Sequence, residues 1–459
     1  MLIDKNADER SVSWKILLPI APESKILAIG ISDGELNGLA RSFGRVDTLP
    51  NDSKYDAVVF GCQIPEQQEP KQYVANMSSN CVIVSLGSSS ICDMARHFRW
   101  HYAAEYACLP PSRPRIFMPL SIKRFRNNGL IFHSPGSLQG KALHWGAKAL
   151  SSIGITAHLR RKTVTFFTIS RQIESKSSVK RWISGRAGWP VNDMVVYAGS
   201  ETESRKITAL ATSYDCRNSI VAKIADTPLA ADSIKQESTA LRALYNSSLA
   251  PLVPTLIDEG MYGSYRIQLQ SYLPQAGRQY QYLSNAHIKF LSDLSRINRT
   301  RIRFYSTTEW PIVKAIAIHR MVDKSIDPIR QIATSLLASG IADIFIDCHM
   351  THGDFSPWNI IYRNNFILAF DWEDSQPLGF PFQDLFHFIF RQASLVGPWP
   401  GATVIMRFMR DAASRLAHSS AIACHVDHAL RVWCINEFIA KPSTRLMELA
   451  EELARIGNE

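Results

Sequence analysis

Three polar side chains that can do chemistry lie in one short stretch of the chain. Asp354 and Asn359 stand five positions apart in the segment His-Gly-Asp-Phe-Ser-Pro-Trp-Asn, and Asp371 follows twelve positions after Asn359. In phosphoryl transfer, one acid accepts the proton of an attacking hydroxyl, while an amide oxygen and a second carboxylate hold Mg²⁺ against the nucleotide phosphates. The residue types and spacing therefore predict Asp354 as the catalytic base and Asn359 and Asp371 as metal ligands.

Two apolar runs, at residues 360–362 and 366–370, fill the interval between Asn359 and Asp371. Arg-Asn-Asn at 363–365 separates the runs and is typical of a turn. Side chains at the open end of two short paired strands lie close together. We therefore expect a hairpin that brings the three polar side chains to one end.

This stretch resembles the catalytic segment of the aminoglycoside phosphotransferase and choline kinase family, whose pattern is His-Gly-Asp, four residues, Asn, and an apolar strand ending in Asp. Residues 352–371 match every position of that pattern. The resemblance implies an α+β bilobal protein-kinase-like fold, ATP and Mg²⁺ as cofactors, and transfer of the γ-phosphate to a hydroxyl of a small molecule. A chance hairpin with surface acids is the competing interpretation, and the full loop pattern argues against it.

A lysine on a strand and an acid on the next helix are expected upstream. Lys223 alternates with apolar residues at 221–225, which indicates a strand, and Glu237 lies in a helical pattern that begins at residue 234. The resemblance implies that Lys223 grips the nucleotide phosphates and that Glu237 holds the lysine. A solvated lysine on a sheet edge is the ordinary alternative.

Weaker signals predict the remaining nucleotide contacts. The segment 195–204 contains one glycine where a protein kinase has three, so Gly199 and Ser200 are the candidates for covering the phosphates. By resemblance, the alternating run that begins at residue 265 ends in a hinge, where the backbone of Ser271 and Leu273 pairs with adenine. The preference for ATP over GTP is likewise implied by the resemblance alone.

The segment after the site suggests one structural acid and several acceptor contacts. Asp384 opens a helical pattern and resembles a family aspartate that braces the catalytic loop through hydrogen bonds. The acceptor is expected to be a small molecule, with a sugar or polysaccharide precursor as one candidate. A pseudokinase that binds nucleotide as a scaffold is the competing class. Four residues are candidates to line the acceptor site: Asp374, Trp399, Trp433 and Glu437.

In residues 1–168, the sequence pattern instead alternates strand, glycine turn and helix, which predicts an α/β Rossmann-like domain. A strand at 25–30 ends in the Gly30 turn, a helix is expected at 35–43, and a further strand is expected at 45–49. This order resembles class I methyltransferases that use S-adenosylmethionine.

The methyltransferase resemblance is incomplete. Asp47 stands where an acid would hold the cofactor ribose, but Ala28 and Ser32 replace an acid and a glycine of the family pattern. A degenerate, inactive domain is the preferred interpretation. A bifunctional methyltransferase–kinase and an unrelated Rossmann-like domain are the alternatives.

Composition sets the wider limits. The chain has 459 residues, of which 46% are hydrophobic, enough to form several buried cores. We expect three domains: a Rossmann-like domain at 1–168, a kinase-like N-lobe at 180–273 and a helical C-lobe at 274–459. Eight cysteines without a C-x-x-C pair suit reduced thiols, and the absence of a leader or an 18-residue apolar run predicts a cytoplasmic protein.

The net charge of +10 is mostly dispersed along the chain. Basic clusters at 123–126 and 160–162 lack the context of a nucleic-acid site, so no nucleic-acid partner is expected. Docking of the N-terminal domain on a protein or an anionic membrane is one alternative. Cys424, His425 and His428 are a metal-site alternative that lacks an evident fourth ligand.

Overall fold

The computed structural model describes residues 13–61, 70–87, 89–110, 114–120, 162–170, 178–199, 205–273, 282–318 and 326–456. The chain divides into two compact units. The first unit comprises Met1–Lys235 and Leu256–Tyr272, and the second comprises Gln236–Thr255 and Leu273–Glu459. Within the described residues, no helix has the length and apolar character needed to cross a lipid bilayer.

The first unit is built on a mixed sheet of twelve strands. The strands are β1 (Lys25–Ile29), β2 (Arg45–Asp47), β3 (Tyr55–Phe60), β4 (Met77–Ser85), β5 (His101–Leu109), β6 (Ile116–Pro119), β7 (Thr163–Thr168), β8 (Asp193–Tyr197), β9 (Ile207–Thr212), β10 (Ser219–Ala225), β11 (Leu256–Tyr262) and β12 (Tyr265–Ser271). Their order in the sheet is β11-β12-β10-β9-β8-β6-β5-β7-β4-β3-β1-β2. Its helices are α1 (Asp33–Ala40), α2 (Ser89–His97) and α3 (Val179–Ala187).

Alternating side chains bury the sheet on two faces. In β1, Ile26 and Ala28 belong to one hydrophobic core, and Leu27 and Ile29 belong to another. The core that contains Ile26 continues along the sheet as far as Ile267 in β12. The N-terminal strands and the strand that carries Lys223 therefore share one hydrophobic core.

The predicted Rossmann-like domain is not confirmed. β2, β1, β3 and β4 pair in parallel, as a doubly wound sheet requires. β7 then pairs antiparallel with β4, β5 pairs antiparallel with β7, and β6 joins the sheet to β8. Hydrophobic periodicity identifies strands but not the direction of their partners, so the pattern could not exclude this large mixed sheet.

The predicted division at 1–168, 180–273 and 274–459 stays a prediction. One sheet includes strands from the first two of these stretches, since β6 pairs with β8. The long helix α4 (Pro228–Leu244) begins in the first unit and ends in the second.

The second unit is mainly helical. Its further helices are α5 (Asn285–Leu294), α6 (Glu309–Ile318), α7 (Asp327–Ala338), α8 (Gln383–Arg391), α9 (Ala402–Ser420), α10 (Val426–Ala440) and α11 (Thr444–Ile456). Its strands are β13 (Thr300–Arg303), β14 (Phe345–Thr351), β15 (Ile360–Arg363), β16 (Phe366–Ala369) and β17 (Gln376–Gly379). β13, β14 and β17 form one small sheet, and β15 and β16 form a hairpin.

Candidate active site

The loop that carries Asp354 lies between β14 and the β15–β16 hairpin. Ile360 pairs with Ala369 at the open end of the hairpin, and the Phe370 amide donates to the Asn359 carbonyl at 3.1 Å. Asp371 follows directly. The predicted hairpin is therefore confirmed, and it brings Asn359 and Asp371 to the same end.

Asn359 stabilises the loop that carries Asp354 through hydrogen bonds within that loop. Its Nδ2 donates to Oδ2 of Asp354 at 2.8 Å and to the Asp354 carbonyl at 3.0 Å. The Ser356 hydroxyl donates to Oδ1 of the same carboxylate. Asp354 and Asn359 are thus in direct contact, and the nitrogen of the Asn359 amide is committed to Asp354.

Asp371 adopts a backbone conformation that is uncommon for its residue type. Its φ is +69°, in the left-handed region, where Asp and Asn are better tolerated than most residues. The next residue, Trp372, is fully buried, and its amide donates to Oε1 of Glu237 at 3.3 Å. Burial of Trp372 and this hydrogen bond anchor the chain on one side of Asp371.

Lys223 lies on β10, between β9 and β12, and only 6% of its surface is exposed. The alternative of a solvated edge lysine is therefore wrong. Burial of an ammonium group is costly unless an anionic partner or ligand compensates it. Lys223 belongs to the first unit and Glu237 to the second, so their predicted pairing stays a prediction.

The predicted nucleotide loops are only partly within the described residues. Gly199 has φ +72°, and a Cβ there would come within 2.5 Å of the Lys206 carbonyl, so the position requires glycine. Ser200 lies outside the described residues. Ser271 ends β12, opposite Ile220, and Leu273 lies two residues further along. The adenine contacts stay a prediction.

The predicted bracing role of Asp384 is confirmed. Its carboxylate accepts hydrogen bonds from the amides of His352 at 2.7 Å and Gly353 at 3.0 Å. Gly353 has φ +84°, and a Cβ there would lie 2.0 Å from the Asp374 carbonyl. One helical acid and one glycine therefore set the path of the chain immediately before Asp354.

Three further residues complete the surroundings of Asp354. His387 and Arg391 were missed in the sequence, and Glu437 was expected to contact the acceptor instead. Nε2 of His387 lies 2.9 Å from Oδ1 of Asp354, and its Nδ1 lies 3.2 Å from Oε2 of Glu437. Arg391 donates to Oε1 of Glu437 at 2.5 Å. Positions 384, 387 and 391 share one face of a helix, and this spacing is the signal that was available for His387 and Arg391.

These neighbours decide the ionisation of the site. Burial alone would raise the pKa of Asp354, but the hydrogen bond and charge of His387 hold that pKa well below its usual range. Burial would lower the pKa of His387, yet hydrogen bonds to Asp354 and Glu437 raise it above its ordinary value of 6.5. Burial would also raise the pKa of Glu437, and His387 together with Arg391 lowers it. All three directions favour the charged forms.

Two of the proposed acceptor contacts are corrected. Glu437 is buried against His387 and Arg391, and Trp433 is buried against Phe386 and Phe390. Both belong to the interior of the second unit because their neighbours fill the space around them. Among the described residues, no group of three or more acids, histidines and cysteines is arranged to hold a metal, so the site at Cys424 is not supported.

The candidate cofactor residues of the N-terminal region are occupied by local contacts. Asp47 accepts hydrogen bonds from Arg45, Asn51 and Tyr55. Ser32 forms a capping box with Glu35 at the start of α1. The predicted methyltransferase-like domain is not supported, and no contact in the described part of the chain supports docking of this region on a partner or membrane.

The comparisons with known proteins concern mainly the second unit. Residues 205–420 match the model of APH, the phosphotransferase enzyme family. This match supports the protein-kinase-like fold of that part and confirms the predicted enzyme class, a phosphotransferase with an alcohol group as acceptor. No curated protein gives a significant match.

Three similar solved structures illustrate the range of the likeness. A ternary complex of the phosphotransferase APH(2")-IIa with streptomycin and ATP is 15% identical, with 62% of this chain and 97% of that chain covered and a TM-score of 0.39. The choline kinase LicA from Streptococcus pneumoniae is 13% identical, with coverages of 61% and 96% and a TM-score of 0.38. The spectinomycin phosphotransferase APH(9)-Ia, bound to ADP and spectinomycin, is 12% identical, with coverages of 61% and 97% and a TM-score of 0.40.

Proposed function

We propose that the protein is an ATP- and Mg²⁺-dependent phosphotransferase that transfers the γ-phosphoryl group to a hydroxyl of a small molecule. The observation that carries the proposal is the contact between Asp354 and Asn359, at the end of a hairpin whose other strand leads into Asp371. A sugar or polysaccharide precursor is our candidate acceptor.

Asp354 is the proposed base. Its Oδ1 faces Ser356 and His387, whereas Oδ2 accepts one hydrogen bond among the described residues, from Asn359. A carboxylate oxygen has two lone-pair sites, so Oδ2 retains the capacity to accept the hydroxyl proton of the acceptor. The low pKa keeps Asp354 ionised at neutral pH.

Asn359 and Asp371 are the proposed Mg²⁺ ligands. Because Nδ2 of Asn359 is turned to Asp354, its Oδ1 is the atom of this amide that fits a metal. Amide and carboxylate oxygens are the hard donors that Mg²⁺ prefers. Bound Mg²⁺ would neutralise charge on the nucleotide phosphates.

The nucleotide contacts are proposed for the residues predicted from the sequence. Lys223 would hold the phosphates, braced by Glu237, and the backbone at Gly199 and Ser200 would cover them. The burial of Lys223 supports a role for its charge beyond solvation. The backbone of Ser271 and Leu273 would pair with adenine.

Release of ADP from Mg-ATP, measured over a panel of sugars, amino alcohols and aminoglycosides, tests the proposal. We expect acceptor-dependent release that falls by ~10²-fold or more in Asp354→Asn, the scale of general-base catalysis, with nucleotide binding retained. Asp411→Asn, an exposed substitution on α9, is the matched control. Mg-ATP binding without turnover of any acceptor, unaltered in Asp354→Asn, would favour a nucleotide-binding pseudokinase.

A further inference from the structure

Four titratable side chains form a cluster behind the loop that carries Asp354, which we term the charge cluster: Asp354, His387, Glu437 and Arg391. His387 lies between two carboxylates, 2.9 Å from Asp354 and 3.2 Å from Glu437, and Arg391 closes the far end at 2.5 Å from Glu437. The side chains of His387, Glu437 and Arg391 are 9%, 9% and 12% exposed. Only Asp354, at 22%, is more open to solvent.

The hydrogen-bond geometry determines where the protons of His387 lie. An ionised carboxylate only accepts hydrogen bonds, so a ring nitrogen that faces one must carry a proton. Both ring nitrogens of His387 face carboxylate oxygens. Nε of Arg391 also approaches Nε2, but at 3.4 Å, a longer contact than the 2.9 Å to Asp354. Two carboxylate partners therefore favour a doubly protonated imidazolium ring over either neutral tautomer.

The cluster also restricts the orientation of Asp354. Oδ1 is held by His387 and Ser356, and Oδ2 by Asn359, so the carboxylate cannot rotate without breaking hydrogen bonds. Hydrogen bonds to charged groups are stronger than neutral ones and fix geometry accordingly. Glu437 and Arg391 in turn hold the ring of His387 in place.

Resting on the proposed phosphotransferase activity, we infer that His387, kept as an imidazolium ion by Glu437, is a positioning residue that orients Asp354 toward the acceptor hydroxyl. In the transfer, the acceptor oxygen bonds to the γ-phosphorus as the bond to the bridging oxygen breaks. ADP leaves with that electron pair, and the hydroxyl proton passes to Asp354. His387 cannot take this proton, because both of its nitrogens already carry one.

The pKa direction of His387 agrees with this arrangement. The charged groups that face His387 are Asp354 from the catalytic loop, Glu437 from α10 and Arg391 from its own helix. Lys441, just after α10, adds positive charge near both carboxylates. A strongly held carboxylate is a weak base, so we expect proton transfer late in the reaction, when the hydroxyl has become more acidic.

Nuclear magnetic resonance of the full chain, labelled with ¹⁵N-histidine, tests the charge state without any turnover. The resonances of His387 are assigned by their loss in His387→Gln. We expect imidazolium shifts at pH 7 in the wild type and a midpoint lower by about 1–3 pH units in Glu437→Gln, the usual effect of removing one close opposite charge. A singly protonated, neutral ring at pH 7 would overturn the inference, whether or not the protein is a kinase.

Hydrolysis of Mg-ATP, with water in place of the acceptor, tests the positioning role. His387→Gln retains one donor without the charge, and His387→Leu retains neither. In both variants we expect kcat to fall by about 10- to 100-fold, because each loses a charge-assisted hydrogen bond to Asp354, with KM for Mg-ATP unchanged. As pH rises, activity should begin to decline at a lower pH in Glu437→Gln than in the wild type.

His418→Gln, on the exposed face of α9, is the matched control and should leave both constants unchanged. If His387→Leu does not fold, the Gln variants still decide the question. Wild-type kcat and pH dependence in folded His387→Gln would refute positioning while leaving the proposed kinase intact. Absence of ADP release from the wild type, with water and with every acceptor, would instead refute the proposed function, and the resonance experiment would still decide the charge of His387.

Discussion

The two units each bury opposite charges, but they do so in different ways. In the first unit, Lys15 donates to Asp226 and to the Gly38 carbonyl, both at 2.7 Å, and the Lys15 and Asp226 side chains are each 2% exposed. In the second unit, the charge cluster ends at the partly open carboxylate of Asp354. Both members of the pair in the first unit are buried, whereas the cluster includes one carboxylate, Asp354, that solvent can reach.

This difference in exposure indicates different roles for the Lys15–Asp226 pair and the charge cluster. Lys15 lies in the short 3₁₀-helix Ser13–Leu17, 211 positions before Asp226, so their contact ties this helix to the residue that follows β10. A buried pair does little for net stability relative to apolar residues but is costly to break. We interpret Lys15–Asp226 as a structural pair and the charge cluster as the support of Asp354, the proposed base.

The largest effect on turnover should come from Asp371→Ala. Loss of a proposed Mg²⁺ ligand should abolish ADP release. The free energy of unfolding should fall by about 1–2 kcal/mol, because alanine tolerates the left-handed φ of +69° at this position less well than aspartate. Coupled assays over a range of Mg²⁺ concentrations and urea unfolding measure the two quantities. Substantial turnover in this variant would remove Asp371 from the metal site.

The largest effect on stability should come from Lys15→Met. This change leaves Asp226 buried without its counter-ion, which typically costs about 3–5 kcal/mol. Turnover per folded molecule should be unchanged, and the double variant Lys15→Met/Asp226→Leu should recover much of the loss. Urea midpoints and specific activity of the soluble fraction provide the measurements. A drop in kcat as large as the one expected for His387→Leu would contradict the comparison.

The loop that carries Asp354 could be predicted from the sequence because its determinants are local. The proposed base, the amide and the second carboxylate fall within eighteen residues, and the hairpin between them is set by two apolar runs and the Asn364–Asn365 turn. Both turn residues adopt positive φ, which asparagine tolerates better than most residues. The bracing by Asp384 followed from its place in the resemblance.

Contacts between distant segments could not be predicted in the same way. His387 and Glu437 are 50 positions apart, and neither residue carries a local signal of the other. The antiparallel pairing of β7 with β4 joins strands with the same apolar pattern that parallel pairing would produce. The sequence pattern assigned Gly30 to a cofactor turn. In the structure the carbonyl of Gly30 packs against Gly61, where a Cβ would lie only 1.9 Å from that oxygen, so close packing explains the glycine at residue 61.

The charge cluster should also give stability a characteristic pH dependence. The pKa of Glu437 is lowered from 4.5, so its contribution is present above about pH 4.5 and is lost as pH falls through the folded-state pKa. The pKa of His387 is raised from 6.5, so its contribution is present below about pH 6.5 and is lost as pH rises through the folded-state pKa. The wild type should exceed Glu437→Gln most between these two values, as measured by urea unfolding across pH. A stability difference between the wild type and Glu437→Gln that does not change with pH would contradict a charged His387.

The smallest effect on stability and turnover is expected from a change at Asp47 in the first unit, because local hydrogen bonds already occupy this candidate cofactor residue. Tyr55 and Asn51 donate to its Oδ2 at 2.8 and 2.9 Å, and the capping box of Ser32 and Glu35 uses backbone amides at the start of α1 that a ligand would need. Calorimetry of the full chain with S-adenosylmethionine should therefore show no binding. Asp47→Ala should cost roughly 1 kcal/mol of stability through lost hydrogen bonds and leave ADP release unchanged. Low-micromolar binding that disappears in Asp47→Ala would instead assign the cofactor to this region, and the first unit would then hold a ligand site as well as the structural pair.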